Sequence, residues 1–186
     1  MNKYKVLDKQ VYTLGKYSIV PIRIKDRYDI MRWRNEQMYH LRQNKHLTPE
    51  EQDRYFDTVV SILFDQEKPD QVLFSYLEGE KCIGYGGLVH INWIDRNAEI
   101  SFIMNTKLET EKFGFHWSNF LAFIEEVAFA NLGLHKIFVF AFDLRPHLYN
   151  VLTQNNYFMD ARLNQHFLFN ENFIDVVIHS KLNNEA

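Results

Sequence analysis

The segment that most constrains the fold runs from Ala98 to Phe142. An apolar strand pattern over Ala98–Met104 precedes a polar stretch around Gly114, and an amphipathic helix then extends to a stop at Gly133. The next segment, His135–Phe142, is almost continuously apolar, which is typical of a strand covered on both faces. A strand, a helix and a second strand in this order predict a β-α-β crossover between parallel strands.

Antiparallel strands are expected on either side of this crossover. Alternating or apolar runs bounded by turn residues predict strands over residues 17–24, 71–77, 82–93, 157–163 and 172–182. The turn Glu78–Lys81 joins two of these strands in a hairpin. Gly84, Gly86 and Gly87 lie in the strand that follows, where glycine marks a bulge or a close approach of two backbones.

Three further helices are expected, over residues 27–38, 49–64 and 146–154. The second has a clear start, because Thr48 can cap it, Pro49 suits the first helical position and Glu51 lies in the first turn. The sequence therefore predicts one α/β (α+β) domain over residues 1–186. Its sheet is mixed and mostly antiparallel, with about seven strands, helices on both faces and one central β-α-β crossover.

Composition argues against several classes of function. A net charge of −3 and a pI near 6.2 provide no general basic surface for DNA. No run approaches 18 apolar residues and the N-terminal segment lacks an apolar signal core, so we expect no membrane span. Cys82 is the only cysteine, which rules out an internal disulfide and favours a reducing, cytoplasmic location. The eight histidines lack metal-ligand spacing, so no metal is expected.

The stretch that follows the Ala98–Met104 strand is suited to phosphate. Backbone N–H groups of Leu108–Phe115 and the dipole of the following helix can bind a pyrophosphate. If the strand diverges from its parallel neighbour, unpaired amides near Phe102, Ile103 and Met104 can hold a pantetheine arm and the carbonyl oxygen of an acyl group. The sequence therefore predicts a site for an acyl donor that carries a pyrophosphate.

Glu99 is the candidate base. A protonated amine is not a nucleophile, so acyl transfer to an amine needs a proton acceptor. Glu99 shares a strand face with Ser101 and Ile103, and a carboxylate in such a largely apolar strand can act as a base through a water molecule. The alternative is a solvated glutamate on the open part of the sheet.

The chain resembles the GCN5-related N-acetyltransferase (GNAT) superfamily over about residues 17–182. The resemblance is carried by four segments: Ile30–Asn35 (IMRWRN), Ile83–Ile103 (IGYGGLVHINWIDRNAEISFI), Glu111–Leu121 and Phe173–Val177 (FIDVV). It is strongest to the branches that acetylate the N-termini of ribosomal proteins and nucleotide-linked amino sugars. The resemblance implies acetyl-CoA as co-substrate, and it assigns the water-mediated base to Glu99.

The family's pyrophosphate loop, Gln/Arg-x-x-Gly-x-Gly/Ala, aligns with residues 111–116. Gly114 matches, whereas Glu111 replaces the usual Gln or Arg and His116 replaces a small residue. A carboxylate near a pyrophosphate is unfavourable, and Lys112 can offset it. The coenzyme-binding residues implied by this alignment and by the strand are Phe102, Ile103, Met104, Glu111, Lys112, Phe113, Gly114, Phe115 and His116.

The resemblance also implies a tyrosine that returns a proton to the leaving thiolate. The register places Leu152 at that position, and Tyr149 lies three residues earlier on the same helix. Tyr149 is therefore the candidate acid, with Ser118 as another donor. The alternative is a tyrosine that packs against the sheet.

The acceptor is expected beside two aromatic segments. Arg34 can pair with a phosphate or carboxylate, and Trp33 or Trp93 can stack on a base or sugar. His90 is an alternative base, because histidine titrates near neutral pH. The plain alternatives are a capped helix end with a half-buried tryptophan and a structural histidine. The predicted acceptor-binding residues are Trp33, Arg34, Asn35, His90, Asn92 and Trp93.

The sequence thus predicts an acetyl-CoA-dependent N-acetyltransferase that acts on a primary amine. A nucleotide-linked amino sugar is the favoured acceptor, followed by a protein N-terminus and then by a polyamine or amino-antibiotic. The sequence leaves the oligomeric state open, and a homodimer is one assembly compatible with it. The competing class is a non-catalytic acyl-CoA-binding or interaction domain, which Glu111, His116 and Leu152 would favour.

Overall fold

The computed structural model of the protein describes residues 2–183. Its centre is an eight-stranded sheet with the strand order β1-β2-β3-β4-β5-β6-β8-β7. All neighbouring strands are antiparallel except β5 and β6, which are parallel. The strands are β1 Tyr12–Leu14, β2 Tyr17–Pro21, β3 Val72–Glu78, β4 Lys81–Asn92, β5 Asn97–Met104, β6 Lys136–Phe142, β7 Phe158–Phe169 and β8 Asn172–Leu182.

The helices fill the connections between these strands. They are α1 Arg27–Glu36, α2 Pro49–Tyr55, α3 Ser61–Leu63, α4 Thr106–Glu111, α5 Phe113–Glu125 and α6 Pro146–Gln154. Five π-helical residues, Phe56–Val60, join α2 to α3, and Glu126–Asn131 extend α5 in the same form. No helix in the described part of the chain is long and apolar enough to cross a membrane.

The two parallel strands separate soon after they begin. Their pairing covers only Asn97–Lys136, Ala98–Ile137 and Glu99–Phe138, although β5 continues to Met104 and β6 to Phe142. Beyond Glu99, the N–H groups of β5 that point away from β4 therefore have no strand partner in the described structure. This divergence opens the sheet between β5 and β6.

Two glycines of β4 allow it to lie close to both of its neighbours. A Cβ atom on Gly86 would lie 2.1 Å from the Ser101 carbonyl oxygen of β5, and one on Gly87 would lie 2.0 Å from the Val72 oxygen of β3. No real Cβ tolerates such distances, so the sheet has this geometry only with glycine here. The prediction of close backbone approach at these positions is confirmed.

The main core lies beneath the point where β5 and β6 separate. The ring of Phe102 stacks on that of Phe120 in α5, with centroids 4.0 Å apart and planes within 8°. Trp117 meets Phe102 edge-on, as does Tyr76 of β3. These aromatic contacts pack α5 against the sheet, next to the gap between β5 and β6.

The predicted fold class and crossover are confirmed, with several local differences. The sheet has eight strands, because the N-terminal lead-in contains β1, and β7 extends past the predicted residue 163 to Phe169. The loop expected after β5 contains the short helix α4, which Asn105 caps, so that Gly114 lies inside the first turn of α5. The Thr48 capping box is present as predicted.

Candidate active site

A cavity of about 390 Å³ occupies the opening between β5 and β6. Residues of both diverging strands line it, together with the loop after α1, the end of β4 and the start of α6. Its charged lining residues are Arg34, Arg42, Asp70, Glu99 and Arg145, with His40 and His90 beside them. The cavity lining therefore combines these polar groups with apolar residues of β5 and β6, among them Ile100, Phe102, Val139 and Phe140.

Glu99 is held by two basic side chains at the mouth of the cavity. Arg42 Nη2 donates to Glu99 Oε1 at 2.7 Å, and His90 Nδ1 lies 3.0 Å from Glu99 Oε2. The Glu99 side chain is only 13% exposed, whereas His90 is largely open to solvent. An ionised carboxylate can only accept, so the Nδ1 of a neutral His90 carries the proton and its Nε2 is left as an acceptor.

The backbone conformation of His90 and a contact between Arg42 and an aromatic ring help to position these two side chains. His90 has a φ of +51° at an irregularity in the β4–β5 register, between Val89 and Asn92. Histidine is among the residues that tolerate such a conformation, which is often found at functional sites. The guanidinium carbon of Arg42 lies 4.3 Å from the centre of the Phe140 ring, so cation–π attraction adds to its ion pair with Glu99.

A second ionic cluster lies on the side of α4 and α6. Arg145, directly before α6, donates from Nη1 to Glu109 Oε1 of α4 at 2.8 Å. His40 Nε2 is 3.4 Å from the same Arg145 nitrogen. Burial, and then the charge of Arg145, lower the pKa of His40 to about 3, so this imidazole is neutral at pH 7.

Arg34, which the sequence predicts to bind the acceptor, lies in the cavity wall. It donates from Nη1 to the Tyr85 hydroxyl at 2.6 Å and from Nε to Gln43 at 3.1 Å. Tyr85 belongs to β4, so Arg34 connects α1 to the sheet. A guanidinium has five N–H donors, and these two bonds leave capacity for a ligand.

The predicted strand residues of the coenzyme site have buried side chains. Phe102, Ile103 and Met104 are all below 6% exposed, and of the three only Phe102 lines the cavity. Any contact with a coenzyme is therefore made by their backbones. The Met104 carbonyl is already used, because it accepts from Gln37 Nε2 at 2.8 Å.

The predicted pyrophosphate segment is divided between solvent and core. Glu111, Lys112 and Phe115 are exposed, and Phe113 begins α5 and packs on Trp117. A Cβ on Gly114 would lie 3.4 Å from the Val151 side chain, so this glycine brings α5 close to α6.

His116 differs from the expectation, because its ring is buried and unavailable to a phosphate. The residue is 1% exposed, and its Nδ1 lies 3.0 Å from the Tyr76 hydroxyl. Burial lowers the pKa of His116. The residue contributes to the core, and only its backbone belongs to the first turn of α5.

Four predicted acceptor residues have structural contacts elsewhere. Trp33 is 2% exposed within the core, so it cannot stack on a ligand. Asn35 holds the loop at Leu47, and Trp93 donates from Nε1 to the Pro69 carbonyl at 2.8 Å. Asn92 accepts from the backbone N–H groups of Ile94 and Asp95 and so closes a turn. None of the four lines the cavity.

Tyr149 also lies outside the cavity lining. Its hydroxyl donates to Asp143 Oδ1 at 2.9 Å, and its ring stacks on His179. Burial, and then the bond to Asp143, raise the pKa of Tyr149. The other donor considered, Ser118, accepts from Asn155 Nδ2 at 2.9 Å. The structure therefore does not bring Tyr149 or Ser118 together with Glu99.

Sequence reasoning missed several cavity residues, above all Arg42, Arg145 and Phe140. Arg42 lies in an irregular loop and meets Glu99 across 57 positions of sequence. Arg145 carries a weak signal, because it is a lone basic residue between an apolar strand and Pro146. No cluster of three or more His, Cys, Asp or Glu residues in the described part of the chain could hold a metal ion.

Comparison with known proteins identifies the family of the chain. A family model described as the Acetyltransferase (GNAT) domain matches residues 19–178, which is most of the chain. The chain therefore belongs to the GNAT acetyltransferase family, as the sequence resemblance predicted. It is an acetyl-CoA-dependent N-acetyltransferase by membership of that family. No curated protein matches the chain in sequence.

Solved structures share the fold at low sequence identity. The spermidine N-acetyltransferase from Vibrio cholerae in complex with CoA and spermine has a TM-score of 0.79 and 18% identity, over 91% of this chain and 96% of that chain. Variant forms of the spermidine/spermine N-acetyltransferase SpeG from the same organism have a TM-score of 0.76 and 16% identity, over 92% of this chain and 96% of that chain. A dodecameric structure of the spermidine N-acetyltransferase from Vibrio cholerae has a TM-score of 0.74 and 17% identity, over 91% of this chain and 95% of that chain.

The residues of this chain fit acetyl-CoA. The separated strands leave backbone N–H groups of β5 without a strand partner among the described residues, as a pantetheine arm requires. The first N–H groups of α5 lack intrahelical partners, as at the start of any helix, and Arg145 lies nearby, with its guanidinium carbon 5.7 Å from the centre of the Phe113 ring. These groups would supply hydrogen-bond donors to the coenzyme.

Proposed function

We propose that the protein acetylates a primary amine on an acceptor that also carries an anionic group, with a nucleotide-linked amino sugar as the favoured class. The observation that carries this proposal is the contact between Glu99 and Arg42, with Arg34 in the same cavity. Glu99 provides a base for the amine. The two arginines provide donors for phosphate or carboxylate oxygens.

The balance of charge argues against a polyamine in this site. A polycation is best bound by an excess of carboxylates, whereas the cavity lining has two carboxylates, Asp70 and Glu99, and three arginines, Arg34, Arg42 and Arg145. Polyamines are nevertheless the second candidate, because the structural neighbours include a spermidine N-acetyltransferase bound to spermine. At below 20% identity, this likeness extends to the fold alone.

Glu99 and His90 are the proposed proton-accepting pair. Acetyl-CoA supplies an acetyl group activated as a thioester, which a neutral amine can attack. The amine nitrogen forms the new C–N bond, the C–S bond breaks and releases CoA as its thiolate, and the amine proton passes to the enzyme. Glu99 takes this proton through a water molecule, and His90 Nε2 is the alternative acceptor, since its Nδ1 contacts Glu99.

The coenzyme contacts proposed from the sequence are retained as backbone contacts. We propose that amides of Phe102–Met104 and of Phe113–Phe115 hold the pantetheine arm and the pyrophosphate, respectively. A cytoplasmic location and a homodimer stay predictions. The free Cys82 is buried, and its Sγ donates to the Gly84 carbonyl oxygen, so no covalent acyl-enzyme is proposed.

The test is release of free thiol from acetyl-CoA with a panel of amines. The panel contains a nucleotide-linked amino sugar, the same sugar without its nucleotide, spermidine and a peptide with a free N-terminus. We expect the highest kcat/KM for the nucleotide-linked sugar. A higher kcat/KM for spermidine would refute the proposed acceptor, and CoA binding without thiol release for any amine would favour the non-catalytic alternative.

Two variants separate the proposed roles. Arg42→Met should raise KM for the nucleotide-linked sugar by about tenfold, equal to about 1.4 kcal/mol, and affect the unlinked sugar less. Glu99→Gln should lower kcat by at least about 100-fold at neutral pH, because general base catalysis contributes this much or more. If Glu99→Gln is fully active and His90→Gln is not, the base is His90.

A further inference from the structure

We infer that Arg145 is the cation that binds the pyrophosphate of the coenzyme, and that Glu109 is the counter-ion it exchanges for that pyrophosphate. The inference rests on the acetyl-CoA-dependent function proposed above. It assigns a coenzyme-binding residue that the family's loop motif does not contain. It also gives a role to an ion pair that the acetyl-transfer chemistry does not use.

The Arg145–Glu109 pair is buried at the side of the cavity. The two side chains are 9% and 12% exposed, and their contact joins α4 to the segment before α6. Removing two charges from water costs several kcal/mol per ion, so a buried pair of this kind adds little stability compared with apolar packing. Such a pair is therefore better explained by a requirement for its charges than by stability.

Within residues 111–116 the one lysine or arginine is Lys112, at the N-cap of α5. Glu111 stands where the family uses Gln or Arg, and the neighbouring Lys112 is exposed and follows a carboxylate of opposite charge. Arg145 can replace the missing donor. Its guanidinium carbon is 5.7 Å from the centre of the ring of Phe113, the first residue of α5, which is where the pyrophosphate is expected. A guanidinium can donate two parallel hydrogen bonds to phosphate oxygens, whereas the carboxylate of Glu111 has no proton to donate.

The neighbours of Arg145 favour an exchange of partners. His40 lies 3.4 Å from its Nη1 and is neutral at pH 7, so His40 neither repels Arg145 nor competes for the phosphate. Glu109 is the only carboxylate paired with Arg145 in the described structure. It competes directly with the coenzyme and also repels it. Removing the two charges of the pair should therefore change coenzyme affinity in opposite directions.

The experiment measures CoA binding by isothermal titration calorimetry, without an acceptor. We expect Arg145→Gln to weaken CoA binding by about tenfold or more, since a hydrogen bond to a charged group is lost. We expect Glu109→Gln to strengthen it, by about threefold to tenfold. A purely structural ion pair predicts instead that both variants bind CoA less well, and that result would overturn the inference.

Ligand variants locate the contact on the coenzyme. Dephospho-CoA keeps the pyrophosphate and lacks the 3′-phosphate, so Arg145→Gln should lose the same factor with it as with CoA. Pantetheine has no phosphate, and its binding should be equal in the wild type and in Arg145→Gln. A loss seen with CoA and absent with dephospho-CoA would overturn the assignment to the pyrophosphate.

Two controls keep the result interpretable. Arg145→Lys retains the charge, so it should recover part of the affinity if the contact is electrostatic, and circular dichroism checks that each variant is folded. If the wild type binds CoA and Arg145→Gln binds it equally well, only this inference is overturned. If the wild type binds no CoA, the proposed function is overturned as well.

Discussion

Acid should destabilise the protein through His40, the half-buried histidine beside Arg145. Its pKa of about 3 in the folded protein lies well below the ordinary value of about 6.5. Between these two values the unfolded chain binds a proton that the folded chain does not. The stability that the neutral His40 contributes is therefore fully present above pH 6.5. It is lost progressively as the pH falls from 6.5 towards 3.

The size of the effect follows from the pKa difference. Each pH unit below the unfolded pKa costs about 1.4 kcal/mol for one histidine, until the folded pKa is reached. Between pH 7 and pH 5 the contribution of His40 should therefore be about 2 kcal/mol. Other groups also titrate in this range, so the measurement needs a variant that removes the His40 contribution alone.

His40→Gln is that variant, because it keeps an acceptor for Arg145 and cannot be protonated. Urea unfolding at pH 7, 6 and 5 gives the free energy of unfolding for the wild type and the variant. We expect the wild type to lose about 2 kcal/mol more than His40→Gln over this range. His135→Gln is the matched control, because it makes the same substitution at an exposed histidine. Equal slopes for the wild type and His40→Gln would refute the reasoning.

Two further predictions concern the sheet and the proposed acid. Gly86→Ala would place a Cβ 2.1 Å from the Ser101 oxygen, so β4 and β5 must separate. We expect urea unfolding to show a loss of about 1–3 kcal/mol or more in the free energy of unfolding. Gly15→Ala, with no atom near its Cβ but a φ of +58°, would show the cost of backbone strain alone. Tyr149→Phe should lower kcat by much less than the roughly 100-fold that loss of a general acid costs, because its hydroxyl is bound to Asp143 outside the cavity lining. A 100-fold loss in a thiol-release assay would restore Tyr149 as the acid.

Features with short-range causes could be predicted from the sequence. The Thr48 capping box depends on residues three apart, and the strands around Gly86 follow from local alternation and turn residues. The β-α-β crossover follows from the order of three strongly patterned segments. The helix α4 was missed because six residues are too few to show a helical period, and because its cap, Asn105, is equally typical of a loop.

The destinations of single side chains depend on contacts that no local pattern contains. His116 and Trp33 were expected to face ligands, and the structure buries both of them. An aromatic or imidazole ring suits a core as well as a site, and the choice depends on partners such as Tyr76, which lies 40 positions from His116. Arg145 and Glu109 are 36 positions apart, so their pairing exists only in the folded chain.

The short contact between β5 and β6 should also determine where the protein opens locally in solution. Among the described residues, the sheet consists of two antiparallel blocks, β1 to β5 and β6 to β8, and three residue pairs join them as strands. Amide hydrogen exchange should therefore detect this seam as the boundary between two cooperative units. A ligand that occupies the gap would contact both blocks and hold them together. Coenzyme binding should then slow amide exchange in β6 and β8 as well as in β5. The bound coenzyme would connect the two blocks of the sheet in the place where strand pairing is missing.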